Sequence, residues 1–321
     1  YRLDLNMSSP TSPASTLLHT AALLAGGQSY PAATLYVVAT PIGNLADFSL
    51  RAVHVLALAD AVACEDTRVG AGLLRHLGLD KPLIALHEHN ERSAAVRVLE
   101  RLASGERVAY VSDAGTPAIS DPGAVLVALA REAGHRVLPI PGASSVVTAL
   151  SVAGHEAGPA GFHFAGFLPA KGAARTTALE QALAQPTACV LFEAPHRVPA
   201  LFDALAECAP ERQVTVCREL TKQFEQVETL RAHALPGWLA ADPMRNKGEF
   251  VIVLHAAPPA PAEAADDSGL DAAAQRVLGV LLPALPLKQA VALAAEISGA
   301  PRNALYAEAL RLREAGRDEA P

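Results

Sequence analysis

From residue 34 onward, short β-branched and apolar runs alternate with stretches whose apolar residues recur every three to four positions. TLYVVA (34–39), AVACE (61–65), PLIALH (82–87), RVAYV (107–111) and RVLPI (136–140) read as strands. Between them, 49–59, 69–78, 91–103 and 121–134 read as amphipathic helices. Strands that are apolar throughout, separated by helices, predict a mainly parallel sheet covered on both faces. Ser49 is placed to cap the first of these helices, and Asp121 followed by Pro122 predicts an N-cap with proline at the first helical position.

After a further helix at 143–154, the glycine-rich GHEAGPAG changes the character of the chain. FHFAGFL, TACVLFEA, QVTVCREL, QFEQVETL and GEFVIVLHA supply more strands per helix, which predicts a second α/β domain with a mixed sheet. AAPPAPAEAADDSG is a proline, alanine and acidic linker, and the remainder of the chain is wholly helical in period. The expected division is a flexible leader over 1–32, with Met7 as the natural start, then α/β domains at 33–155 and 156–256. A linker at 257–270 and a helical domain at 271–317 complete it.

Composition narrows the function classes. The 321 residues are 51% hydrophobic, ample for packed cores, yet no apolar run approaches the roughly 20 residues that span a bilayer. The opening segment lacks the basic and apolar regions of a secretory signal. Cys64, Cys189, Cys208 and Cys217 have neither metal nor redox spacing, which fits free thiols in a reducing cytoplasm. A formal charge of −7 argues against a general nucleic-acid coat but leaves room for a local basic patch.

The chemistry concentrates in the loops after the strands, where open α/β sheets gather their ligands. Five successive strand ends carry polar sets: ATPIGN, CEDTR, HEHN, SDAGTPAISDPG and PGASS. Each has a bland reading as a turn, a cap or a solvated loop. EDTR, for instance, reads equally as a helix cap with an Asp66–Arg68 surface pair. In the second half, FEAPHR offers Glu193, His196 and Arg197, and RELTKQFE offers Lys222; a strand-end ion pair between Glu193 and Arg197 is the structural alternative. There is no GxGxxG or GxxxxGK[ST] loop, so dinucleotide dehydrogenases and P-loop enzymes are disfavoured, and His196 has no partner at metal-ligand spacing.

The order of these blocks, from LYVVATPIGNLADFSLRA through VSDAGTPAISDPG, PIPGASS, FAGFLP, FEAPHR and CRELTKQFE to GEFVIVL, resembles the tetrapyrrole methylase superfamily. More narrowly it resembles the bacterial branch that methylates the 2'-oxygen of a cytidine in 16S ribosomal RNA. The resemblance implies two α/β domains with an S-adenosylmethionine cleft between them, and a small helix-turn-helix-like domain at the C-terminus. It implies cofactor contacts at Pro41, Ile42, Gly43, Asp113, Thr116, Ser144 and Ser145, closed by backbone near Phe192 and Gly248. ATPIGNLAD departs from the GxGPGD-like loop of the porphyrinoid enzymes, and CEDTR and HEHN also match the RNA branch.

The activity this resemblance implies is methyl transfer to a ribose hydroxyl in the decoding region, with 16S RNA or the small subunit as partner and a homodimer as the assembly. Alignment of oxygen, carbon and sulfur is the main requirement, and a base takes the hydroxyl proton. Glu65, Asp66, His87 and Glu193 are the candidate bases, with His89 beside them. Arg68, His89, Asn90, His196, Arg197 and Lys222 are the candidate RNA contacts. Two alternatives stay open: carbon methylation of a porphyrin-like tetrapyrrole, and a non-catalytic RNA-binding protein on the same fold. The C-terminal helices, around SGAPRN, carry nearly balanced charge, so they fit a packing or dimer role as well as RNA binding.

Overall fold

The computed structural model describes residues 12–154, 161–256, 270 and 272–318. Met7, most of the GHEAGPAG stretch and the linker at 257–269 therefore lie outside the described residues. Two compact units are present, residues 1–256 and 257–321.

The first unit opens with an unexpected helix. Residues 13–25 of the expected leader form α1 (Pro13–Ala25), with Ser12 capping the Ser15 N–H and proline in the first turn. Its Ala21 is fully buried, and Leu17, Leu18 and Tyr30 pack beside it. The flexible-leader reading is thus corrected for this stretch: LLHTAALLA carries a helical apolar stripe that finds a core to cover.

Five parallel strands form the first sheet: β1 (Thr34–Val38), β2 (Ala61–Cys64), β3 (Leu83–Ala85), β4 (Val108–Val111) and β5 (Arg136–Ile140), in the order β3-β2-β4-β1-β5. Alternate residues serve opposite faces. Tyr36, Val62 and Ala109 join α1, α2 (Leu50–Leu58) and α3 (Thr67–His76). Leu35, Ala63 and Tyr110 join α4 (Glu91–Ala103) and α5 (Ala124–Glu132) on the other face. Ser49 caps α2 as expected. Asp121 does not cap α5: the helix begins at Ala124 behind Gly123, because the Tyr110 hydroxyl donates to Pro122 O and its ring fills the space at Gly123.

After β5, α6 (Ser145–Ala153) leaves the first sheet and packs through Val146, Ala149 and Ala153 on the second. That sheet contains β6 (Phe162–Phe167), β7 (Ala188–Glu193), β8 (Gln213–Arg218), β9 (Gln226–Arg231) and β10 (Phe250–Leu254), ordered β6-β7-β10-β8-β9. It is mixed: β6 and β7 run parallel, while β10 is antiparallel to β7 and β8. Its other face is covered by α7 (Ala173–Leu183), α8 (Val198–Cys208) and α9 (Leu235–Ala240). Ile42, from the loop after β1, joins the α6 side of the second sheet. One residue of the first sheet's edge is thereby built into the second sheet's core.

The second unit is a three-helix bundle of α10 (Ala272–Leu281), α11 (Leu287–Ser298) and α12 (Arg302–Asp318). Leu278, Val291, Ala294, Leu305 and Ala309 form its core. Gly299 ends α11 in the left-handed conformation, at φ 70°, which turns the chain into α12. No helix among the described residues is long and apolar enough to cross a membrane.

Candidate functional site

Three of the five polar strand ends converge. β4, β1 and β5 are neighbours in the sheet, so their loops meet at its carboxyl edge, beside α6. The loops are tied to each other by backbone: Thr40 and Gly115 exchange two hydrogen bonds of 2.9 and 3.1 Å. Thr116 Oγ1 donates to Ala143 O at 3.0 Å, joining the β4 loop to the β5 loop. Gly115 has φ +82°, and a Cβ there would press within 3.3 Å of Ile42, so a left-handed turn and a close approach both call for glycine.

Against this edge the structure forms two adjoining cavities. The first, about 410 Å³, lies between the sheets. Its walls are Ile42, Ala114–Thr116, Ile119–Asp121 and Ser144–Val146 from one side, with Phe167, Phe192–Pro195, Leu220 and Glu249–Val251 from the other. The second, about 360 Å³, is lined by Pro41, Ile42, Gly43, Leu45, Asp113 and Ala114, by the α3 residues Val69, Gly72, Leu73 and His76, and by Lys222 and Glu249. Ile42, Ala114 and Glu249 belong to both. The residues expected around the cofactor are therefore divided. Ile42, Thr116, Ser144, Ser145 and Phe192 line the first cavity, while Pro41, Gly43 and Asp113 line only the second.

Gly248 lines neither cavity. At φ +95° it makes room for Glu219, whose carboxylate accepts the Glu249 N–H at 2.9 Å. Lys222 Nζ lies 2.9 Å from Glu219 and 3.1 Å from Glu249. The pair pulls Glu219 below the usual carboxylate range despite its burial, and holds the lysine above its own.

Several expected functional residues are engaged within the fold. Asp66 caps α3 through the Arg68 N–H and pairs with the Arg68 guanidinium, which holds its carboxyl down to about 2. So weak a base does not suit proton abstraction, and the capping reading of EDTR holds for this residue. Glu193 is fully buried between two cations, Arg175 at 2.8 Å and Arg197 at 2.9 Å. Both of its oxygens are engaged, which corrects its reading as a free base. Arg197 also donates to the Leu168 and Pro169 carbonyls, so it pins the loop after β6 and is not free for phosphate. Asn90 accepts from His87 N and donates to Ala85 O, closing the turn after β3 in place of reading a base.

His87 and His89 sit together, ring centroids 6.2 Å apart, away from both cavity walls. His196 is exposed on a single 3-10 turn after β7, and the Arg68 side chain is 90% exposed. Glu65 is different. Partial burial, then the charges of Asp113, Asp121 and Asp66, raise its carboxyl above the ordinary range.

Asp121 is an acidic wall residue that sequence reasoning missed. Burial raises its carboxyl, with the Ser112 and Ser120 hydroxyls working in the opposite direction. The motif SDPG contained it, but its resemblance to a helix cap hid it. Ile119, Phe167 and Glu249 were likewise within quoted motifs and carried no separate signal. Among the described residues, no group of three His, Cys, Asp or Glu side chains is placed to hold a metal ion.

Known proteins match both the two-sheet α/β unit and the small helical unit of this chain. Residues 34–236 match the family of Tetrapyrrole (Corrin/Porphyrin) Methylases, and the chain belongs to it. Residues 268–313 match the RsmI C-terminal HTH domain. Among similar curated proteins, the ribosomal RNA small subunit methyltransferase I of Pseudomonas aeruginosa is 46% identical over 87% of this chain and 98% of its own length. The protein of the same name from Escherichia coli O157:H7 is 45% identical over 86% of this chain and 94% of its own. Among solved structures, a diphthine synthase superposes with TM-score 0.55 at 17% identity, over 70% of this chain and 89% of that one. The methyltransferase CobJ gives TM-score 0.50 at 20% identity, over 70% and 94%. At such identities the two structures show the shared fold alone.

Proposed function

We propose that this chain is a methyltransferase of small-subunit ribosomal RNA, using S-adenosylmethionine to methylate the ribose 2'-oxygen of a cytidine in the decoding region. The observation that carries the reading is the pair of cavities with a common wall at Ile42, Ala114 and Glu249. Two ligands, one in each, meet at that wall. The names of the relatives at 45–46% identity supply the acceptor class.

The first cavity suits the donor. α6 begins at Ser145 behind Ser144, which makes no side-chain cap, leaving backbone N–H groups for a carboxylate. Ile119, Phe167 and Phe192 offer apolar faces to an adenine, and Asp121 offers a carboxylate to a cationic group. Bound S-adenosylmethionine supplies a methyl group already activated on a sulfonium. The protein's own work is alignment, exclusion of water and acceptance of a proton.

The second cavity suits the ribose, whose hydroxyls can hydrogen-bond to the Lys222, Asp113 and Glu249 side chains on its wall. Lys222 and His76 stand on its wall beside Pro41, Gly43 and Asp113. Arg68, His89 and His196, exposed outside it, meet the RNA backbone. Glu65 lines neither cavity, but it follows β2 next to Asp66 and its carboxyl is raised first by partial burial and then by Asp113, and it stays the candidate proton acceptor. The enzyme acts as a cytoplasmic homodimer.

The test is incubation of the purified protein with labelled S-adenosylmethionine and small subunits, or naked 16S RNA, from cells lacking the modification. Nucleoside mass spectrometry is expected to find 2'-O-methylcytidine. Label on a tetrapyrrole acceptor, or on neither, overturns the assignment. A light-scattering mass equal to one chain overturns the dimer.

A further inference from the structure

We infer that Glu91 is a positioning residue for the donor cavity, acting through the N-terminus of α5. This rests on the reading of the first cavity as the donor site. The loop from Ser112 to Gly123 supplies the wall from Ala114 to Asp121, so whatever fixes its far end fixes that wall. The far end is a helix start without a cap of its own. Gly123 has no side chain to offer, and none is tolerated: at φ +127° an added Cβ would fall 2.2 Å from the Tyr110 ring.

The orphan donors are served from another element. The Gly123 and Val125 N–H groups both donate to Glu91 Oε1, at 2.7 and 3.0 Å. Glu91 is the first residue of α4, so one carboxylate stands at the positive ends of two helices. The residue before it, Asn90, closes the turn after β3 through His87 N and Ala85 O. Adjacent side chains thus brace the HEHN loop and the SDAGTPAISDPG loop together.

Tyr110 braces the same corner through Pro122 O, but it is a fully buried core residue and its removal would damage the sheet. Glu91 is only half-buried, so it can be altered with the core intact. The two hydrogen bonds need an acceptor oxygen, not a charge, and glutamine keeps one.

The experiment compares wild type, E91A and E91Q by calorimetric titration with S-adenosylhomocysteine, by methyl-transfer kinetics on small-subunit RNA, and by hydrogen exchange at Gly123 and Val125. E91A is expected to weaken S-adenosylhomocysteine binding and raise the donor KM by about fivefold, the scale of a lost helix cap. Its kcat at saturating donor stays close to wild type, and the two amides exchange faster. E91Q is expected to restore binding and protection together. If E91A exchanges faster at both amides but binds donor as wild type does, or if E91Q fails to rescue binding, the positioning role is wrong. A wild-type protein that neither binds S-adenosylhomocysteine nor transfers methyl would instead remove the donor-site reading itself, and with it this role.

Discussion

Gly43 and Lys222 approach so closely that a Cβ on Gly43 would lie 2.6 Å from Lys222 Cγ, 2.8 Å from Thr221 Oγ1 and 2.9 Å from Leu220 O. The first and last of these atoms belong to a flexible stem and to rigid backbone. The backbone contact is the one that cannot yield easily. A loop of the first sheet and a loop of the second meet here, on the wall of the second cavity.

Gly43→Ala is therefore expected to push the 220–222 segment away from the β1 loop. Overpacking of this kind costs about 1–3 kcal/mol. The RNA KM should rise, and donor affinity should fall with it, because the displaced segment carries Leu220 of the first cavity's wall. Urea unfolding and steady-state kinetics check both halves, and an alanine variant with unaltered RNA KM would remove Gly43 from the acceptor side.

The Arg175–Glu193–Arg197 triad predicts a stability effect. Glu193 has no exposed side-chain surface, and its partners are only 15% and 20% exposed. Removing one member of a buried ion cluster leaves uncompensated charge, at a cost of about 3–5 kcal/mol. Glu193→Ala should lose that much in urea unfolding. A loss below about 1 kcal/mol would mean that the arginines rehydrate freely.

Much of this architecture was legible in the chain. Continuous apolar runs such as VAYV and AVAC are what strands buried on both faces look like, and each strand among the described residues overlaps a run read as one. Polar strand ends pointed to the sheet edge, and three of the five do converge there. What stayed hidden was what each polar group touches. Asp66, Asn90, Glu193 and Arg197 have the chemistry of site residues, yet each is engaged by a neighbour that only the fold brings near. α1 was hidden for a related reason, since its stripe makes sense only once α2 is beside it. The cap of α5 comes from 32 residues away, beyond the reach of any local rule.

Asp121 predicts a pH dependence. Its carboxyl is raised from an ordinary value of 3.8, first by burial, so the folded protein holds the proton more tightly than the unfolded chain. Ionisation then works against the fold. The penalty is absent below the unfolded pKa and fully present above the folded one. Asp121→Asn, which removes the charge and keeps an acceptor, should raise the melting temperature at pH 8 and lose its advantage as pH falls toward 4. Melts at pH 8, 6 and 4 check the sign, and a variant less stable than wild type at pH 8 would contradict it.

The segment opposite Gly43 supplies the last prediction. Glu219 and Thr221 both have positive φ, 53° and 65°, in a loop where neither is glycine. For a β-branched residue the left-handed region is a marked outlier, at a cost of about 1–2 kcal/mol. Thr221 Oγ1 is buried without a hydrogen-bond partner, which adds to the disfavour. Such strain persists only where the surroundings impose it. Here they do: Thr221 N donates to Glu225, and Lys222 is held by Glu219 and Glu249. Thr221→Gly relieves both costs but loosens the unfolded chain by about 0.5–1 kcal/mol. The expected net is a gain of about 1 kcal/mol in unfolding free energy. Turnover should move the other way, since a relaxed loop no longer presses Lys222 against Gly43. A glycine variant that is both less stable and fully active would show that the left-handed backbone at Thr221 is neither strained nor useful.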